Sequence, residues 1–466
     1  MPVIVLLVDG ARADAFAAAL SSGQLPALAG LRDEGSLHTI TSTFPSVTGP
    51  AYAPFLLGKF PGTLGLAGLR WFDRARTRCT WPDYCRSYIG VEARHIDGDM
   101  DADAPTMYEL ADSSAASMYM IGRGLAPQHR LARGLRAVLR TARVHFAGNL
   151  DGWLAIDRDT GLEAAAHIRR HRPAFSFIAM PGVDKVSHSL GHTDSRVLDA
   201  LRNADQVAAV LRADAERDGT WGDTHLWVVS DHGHSTIDAH DDLIGWMRQR
   251  GHRAIAHPWV YAPNPEVGVF VSGNCMAQLY LEMQLRERPW WPVLADRWEE
   301  LVDGLLERAS VDLVMLPHSP TRTEIRARDR GSAMLDRTAA CYTYRPITGD
   351  PLGLGEVDAV SFDDAHERTI DTMYPDSLVQ ISHYCGSARA GDVVLSAVPN
   401  WDFRAKWEPI PHRSSHGALH REHMLVPLLT NRRIVGRPRR TTDVTASACK
   451  ALGIDAPSGL EGGSFL

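Results

Sequence analysis

Short apolar runs that break off at acidic or imidazole side chains constrain this chain more than any other feature. Val3–Val8 (VIVLLV) runs into Asp9-Gly10. Phe175–Met180 (FSFIAM) runs into Pro181-Gly182-Val183-Asp184, and 226–229 (LWVV) into Ser230-Asp231-His232-Gly233-His234. A brief apolar stretch without polar alternation reads as a strand buried on both faces, as in a parallel sheet covered by helices. Helical patterns over 161–170 and 195–214 lie between the runs. The expectation is an α/β fold with a central, mostly parallel sheet flanked by helices. Ligands of such sheets bind beyond the carboxyl ends of the strands, where this chain places its Asp and His residues.

The pattern changes between about 250 and 365. Trp290-Trp291-Pro292 and the Gly/Pro-rich stretch 346–355 suggest a cap inserted into the core. The predicted organisation is a first core part over 1–250, an inserted cap over 251–365 and a second core part over 366–466. The last part contains strand candidates at 392–397 and 424–429. With 466 residues, 44% hydrophobic and 23% charged, the chain can bury a core of this size.

A net charge of −7 lacks the basic excess of a nucleic-acid binder. The arginine-rich stretch 133–143 reads as a solvated helix face. The apolar run before Asp9 is too short to span a bilayer, so neither a polymer nor a membrane is an expected partner. The six cysteines are scattered without a CxxC pair. This suits free thiols in a reducing, cytoplasmic setting, with a Cys79–Cys85 disulfide as the alternative.

Asp9, Asp184, His188, Asp231, His232 and His416 form a candidate set of nitrogen and oxygen ligands for divalent metals. Each alone is as easily a helix cap or an ordinary hydrogen-bonded residue; together, at strand ends, they point to a metal centre. The four-residue spacing of Asp184 and His188 lets both converge on one helical turn. Two metals close together can clamp the attacking and leaving oxygens of an in-line displacement. The stretch 41–61 (TSTFPSVTGPAYAPFLLGKFP) offers Thr48 as a nucleophile that a metal would activate. A helix after Thr48 would point its free amides at an incoming anion.

At this point the motifs resemble the alkaline phosphatase superfamily, and within it the type I phosphodiesterase/nucleotide pyrophosphatase family with its phosphonoacetate hydrolase-like members. The matching pieces are Val8-Asp9-Gly10, Phe44-Pro45-Ser46-Val47-Thr48-Gly49-Pro50, Pro181-Gly182-Val183-Asp184-Lys185-Val186-Ser187-His188, Ser230-Asp231-His232-Gly233 and Ser415-His416-Gly417. The resemblance implies that Asp184, His188 and His416 hold one metal, while Asp9, Asp231, His232 and Thr48 hold the other. It implies zinc first, with manganese or iron as alternatives. Thr43, in a Thr-Phe-Pro string, competes with Thr48, but only Thr48 fits the family spacing without an insertion.

Two positions depart from the family. Ala51 stands where many members have asparagine directly after Thr-x-Pro. The loop Gly65-Leu66-Ala67-Gly68-Leu69-Arg70-Trp71 lacks the asparagine that usually holds a phosphoryl oxygen. Such a donor is worth about 3 kcal/mol in the transition state, and Tyr52, Arg70 and Lys185 are the candidate replacements. The expected activity is hydrolysis of phosphodiester or phosphoanhydride bonds in a small anionic substrate, through a phosphothreonine. The alternatives are cleavage of a phosphonate carbon–phosphorus bond and a metal-binding homologue without activity. The absence of Cys/Ser-x-Pro-x-Arg argues against an arylsulfatase. His252, His257 and His318 are expected to bind no catalytic metal.

Overall fold

All six residues of Val3–Val8 are buried, and their alternation splits them between two cores. Val3, Val5 and Leu7 pack into one apolar cluster, Ile4, Leu6 and Val8 into another. This strand is therefore central, as its unbroken apolar run predicts. The computed structural model describes residues 1–76, 85–257, 264–404 and 412–466.

The main sheet has seven strands, in the order Ser36–Thr41, Leu425–Thr430, His225–Val229, Val3–Val8, Phe175–Met180, Ser114–Ser117 and Arg130–Leu131. Val3–Val8 pairs in parallel with both Phe175–Met180 and His225–Val229. Leu425–Thr430 enters antiparallel between His225–Val229 and Ser36–Thr41. The helices Leu150–His171 and Ser195–Arg217 cover one face; both run longer than their sequence patterns. The helix Asp443–Leu452 packs with the short helix Ala53–Leu57 on the other.

A second sheet of nine strands begins with Ala254–Ile255, Val267–Ser272 and Met276–Leu281, and ends with Tyr342–Gly349 and Val357–Val360. The helix Trp291–Leu306 lies on one of its faces and Ser377–Cys385 on the other. Its fourth strand is Val393–Ala397, inserted between Met276–Leu281 and Val311–Ser319. The sequence reading puts that strand with the second core part. Its fully buried VVLSA pattern fits either sheet, and hydrogen bonding places it here.

Cys85, Cys275, Cys341, Cys385 and Cys449 are free thiols, and Cys79 lies outside the described residues. Among the described residues no helix is long and apolar enough to cross a membrane.

Candidate metal centre

Three strands deliver the acidic groups. Asp9 directly follows Val8, its amide donating to the Met180 carbonyl (3.1 Å), and its own carbonyl accepts from the Asp184 amide (3.0 Å). Asp231 follows His225–Val229, and its Oδ1 accepts from the Gly10 amide at 3.3 Å. Gly10 is required between them: its φ is +81°, and a Cβ there would sit 2.8 Å from His234 Nε2 and 3.1 Å from the Asp184 Cα.

The late residues arrive through a small sheet. Ser235–His240 pairs with Ser414–Ser415, which brings His234 and His416 to the same edge. The bridge between Ser46 and Gly417 then fixes the Thr48 loop against His416. Ser42 donates to the Asp231 carbonyl and anchors the start of that loop.

The histidines share one design. His188 Nδ1 faces the Ser414 carbonyl (2.9 Å), His416 Nδ1 the Ser46 carbonyl (2.8 Å) and His232 Nδ1 the Gly233 carbonyl (3.1 Å). A carbonyl can only accept, so in each ring Nδ1 carries a proton and Nε2 is the atom left for a ligand. The free Nε2 atoms point at carboxylates. His188 Nε2 is 3.1 Å and His416 Nε2 3.6 Å from Asp184 Oδ1. His232 Nε2 is 3.3 Å from both Asp9 Oδ1 and Asp231 Oδ2. Metal-ligating histidines are oriented in this way.

The chemistry of the set fits divalent cations. Asp9, Asp184 and Asp231 are all buried together. Burial and the nearby Asp9 carboxylate push the Asp231 pKa well above the usual carboxylate range, and Asp231 Oδ2 has no hydrogen-bond partner. Buried carboxylates without compensating charge are costly, and cations relieve that cost. Two groups of ligand atoms are close enough to share an ion: Asp9, Asp231 and His232, and Asp184, His232, His234 and His416.

Thr48 is the half-buried residue in an otherwise buried run from 41 to 50. Its Oγ1 lies 3.1 Å from His232 Nε2 and 3.3 and 3.4 Å from the two Asp9 oxygens. Thr43, by contrast, is wholly buried and its hydroxyl has no partner. The predicted helix after Thr48 is a 3-10 turn, Pro50–Tyr52, followed by the five-residue Ala53–Leu57. Pro50 and Pro54 remove amides from both first turns, so this element is a weak anion cradle.

The three candidate substrate-binding residues take different places. Tyr52 is buried and its hydroxyl donates to Asp9 Oδ2 at 2.8 Å. Lys185 Nζ sits 2.7 Å from Asp184 Oδ2 and 5.7 Å from the Trp153 ring centre. Burial opposes its charge, but Asp184 and Asp9 raise its pKa. Arg70 begins the short strand Arg70–Phe72; its carbonyl accepts from Gln278 Nε2 at 3.1 Å, beside Ser272.

Two histidines at the centre escape the sequence reading. His234 is fully buried, with Nε2 3.0 Å from Asp184 Oδ1 and Nδ1 3.1 Å from Ser414 Oγ. His412 packs tilted against His188 with ring centres 4.3 Å apart, and its Nδ1 accepts from Asn274 Nδ2 at 2.9 Å. The repeat in Asp231-His232-Gly233-His234 was the available signal for the first. His252 pairs with Glu266 (3.2 Å) beside the second sheet and His318 with Glu324 (3.1 Å) within it, while burial and Arg70 lower the His257 pKa to about 4.

Carboxylates and imidazoles at a parallel-sheet edge, with a hydroxyl among them, define the chain as an enzyme of the metal-dependent phosphohydrolase class. Residues 3–420 match the model of the type I phosphodiesterase/nucleotide pyrophosphatase family, and the chain belongs to that family. Its members use two divalent metals. No curated protein sequence matches the chain. Solved structures with the same fold include the murine ectonucleotide pyrophosphatase/phosphodiesterase 5, at 15% identity and TM-score 0.57, covering 100% of this chain and 98% of that one. An inactive threonine-to-alanine variant of the murine protein, in complex with AMP, gives 14% identity and TM-score 0.57, with coverage of 100% and 98%. Phosphonoacetate hydrolase from Sinorhizobium meliloti 1021, in complex with phosphonoformate, gives 16% identity and TM-score 0.55, covering 97% of this chain and 95% of that one. At these identities the likeness is one of fold.

Proposed function

We propose that the chain hydrolyses phosphodiester or phosphoanhydride bonds of small anionic substrates by in-line attack of the Thr48 hydroxyl on phosphorus. The observation that carries this reading is the position of Thr48 Oγ1, within 3.4 Å of both Asp9 oxygens and 3.1 Å from His232 Nε2. Asp184, His188 and His416 would hold one divalent ion, and Asp9, Asp231, His232 and Thr48 the other, with zinc the ion best suited to this imidazole–carboxylate mixture. Bound ions would lower the pKa of the attacking hydroxyl and offset charge on the transferring phosphoryl group.

The protein's own groups do the rest. Asp9 accepts the hydroxyl proton of Thr48 and so aims its oxygen into the site. Tyr52 donates to Asp9 Oδ2 and fixes the rotamer of that carboxylate. Lys185 keeps a cation at the rim, where part of its side chain meets solvent, and Arg70 is the remaining candidate for a phosphoryl oxygen. Attack breaks the bond from phosphorus to the leaving group and leaves the phosphoryl group, still carrying its second substituent, esterified to Thr48; water then hydrolyses that ester. The AMP held by the inactive murine variant, itself a threonine-to-alanine change, supports a nucleotide-type substrate.

A second reading, cleavage of a phosphonate carbon–phosphorus bond, draws on the absence of asparagine from 65–71 and on the phosphonoformate-bound neighbour of the same fold. Turnover of matched diesters, monoesters and phosphonates by the metal-loaded enzyme, with mass spectrometry for a phosphopeptide containing Thr48, tests both. A phosphopeptide on Thr48 with diester turnover supports the first reading. Turnover confined to phosphonates moves the assignment to the second, and no turnover of any member of the panel overturns both.

A further inference from the structure

The helix Leu135–Phe146 (LRAVLRTARVHF) is built inside out. A surface helix normally turns its apolar stripe to the core. Here Val144 is the buried residue, packed with Trp153 and Ile156 of Leu150–His171. The strongest apolar side chains face solvent: Leu135 is 75%, Leu139 60% and Phe146 81% exposed, with Val138 at 43% on the flank. Positions 135, 139 and 146 fall on one helical face. Single exposed apolar residues are ordinary, but a row on one helix marks an interaction surface.

The charge on this helix is equally one-sided. Arg136, Arg140 and Arg143 are exposed along one side of the apolar row, and Arg133 precedes them. The stretch 131–148 contains no Asp or Glu, in a chain whose net charge is −7. The arginines are solvated as the sequence predicts; the leucines and phenylalanine are solvated too, which it does not. Among the described residues Arg140 pairs with the partly exposed Asp159 at 2.8 Å, and such pairs are cheap to exchange. An outward apolar row flanked by arginines matches the boundary of an anionic lipid surface, where the apolar side chains enter the headgroup region and the guanidinium groups meet phosphates.

The helix also adjoins the centre. The His145 ring lies 6.2 Å from that of Trp153, and Trp153 lies under Lys185, which pairs with Asp184. A surface held by Leu135–Phe146 would therefore lie on the Asp184 side of the site.

We propose that Leu135–Phe146 is an interfacial anchor that docks this enzyme on an anionic lipid surface. The docking stands independently of which phosphorus bond is cleaved. The test is flotation of the full chain with vesicles of phosphatidylcholine alone and of phosphatidylcholine mixed with phosphatidylserine. The expected result is binding to the mixed vesicles, weaker binding to the neutral ones, and release by salt. The double variant Leu139→Glu/Phe146→Glu should bind at least about tenfold more weakly, and Arg136→Ala and Arg143→Ala about fivefold each. Turnover of a water-soluble diester should be unchanged in all of them; if the double variant fails to fold, Phe146→Ser makes the same comparison. Absence of binding by the wild-type chain to mixed vesicles overturns the proposal, as does equal binding by the glutamate variant. A dimer in gel filtration that Phe146→Ser dissociates also overturns it, since a second copy would then cover this face.

Discussion

His234 Nε2 lies 3.0 Å from Asp184 Oδ1, the same oxygen that His188 Nε2 approaches to 3.1 Å. Asp184 is thus gripped by a buried imidazole outside the ligand set that the family resemblance implies. Replacing His234 with methionine keeps the volume and removes the nitrogen. The affinity for one of two ions should fall about 10- to 100-fold, as for other residues that orient ligands. Metal titration monitored by calorimetry reads this directly, and an unchanged second binding step would show His234 to be a packing residue.

Thr48→Ala should reduce turnover by at least about a thousandfold while both ions remain bound, because the attacking oxygen is lost and the six Asp and His ligands are not. Thr48→Ser should retain part of the rate. Thr43→Ala should act mildly on activity: the Thr43 hydroxyl has no partner and contacts no carboxylate at the centre in any described hydrogen bond. Steady-state rates of the three variants on one diester, beside elemental analysis, decide between the two threonines.

Chelation should abolish activity and also lower the melting temperature. Asp9, Asp184 and Asp231 are buried together, and an ion that binds only the folded chain stabilises it by mass action. The expected content is two divalent ions per chain, as in the family. Scanning calorimetry before and after dialysis against chelator checks it; an identical melting curve would count against a loaded centre. His252→Ala and His318→Ala, whose partners are Glu266 and Glu324, should leave the metal content unchanged.

Acidification should destabilise the chain partly through His225, far from the centre at the start of a core strand. Burial and Arg432 lower its pKa to about 4, from 6.5 in a free chain. Between these values the unfolded state takes up a proton that the folded state refuses, so stability falls as pH drops from 6.5 towards 4. The slope from one such group is at most about 1.4 kcal/mol per pH unit. His225→Gln should flatten the wild-type loss by that share in urea unfolding at pH 7 and pH 5; equal slopes would refute the assignment.

Much of the centre was legible because its residues sit where apolar strands stop. Asp9, Asp184 and Asp231 follow runs whose burial a sequence reveals, and the structure brings all three together. His234 was hidden by its neighbour: His232 satisfies the motif, and only the pairing of Ser235–His240 with Ser414–Ser415 turns His234 inward. The place of Val393–Ala397 was not legible either. Val393–Ala397 is buried at every residue and so carries no mark of which sheet it joins, and its partner Met276–Leu281 is buried throughout like Val3–Val8 of the main sheet. The outward row of Leu135, Leu139 and Phe146 has the period of a core-facing stripe, so pattern alone could not say that it faces water.

The position of Leu425–Thr430 between Ser36–Thr41 and His225–Val229 has a consequence for the order of events at the ribosome. A growing chain exposes Asp9, Thr48 and Asp231 long before that strand and His416 exist, leaving a gap in the half-made sheet beside unpaired carboxylates. Such an edge invites wrong partners until it is filled. A donor set that includes His416 is therefore complete only after residue 416 has been made, so the candidate centre closes at the end of folding rather than when its first carboxylates appear.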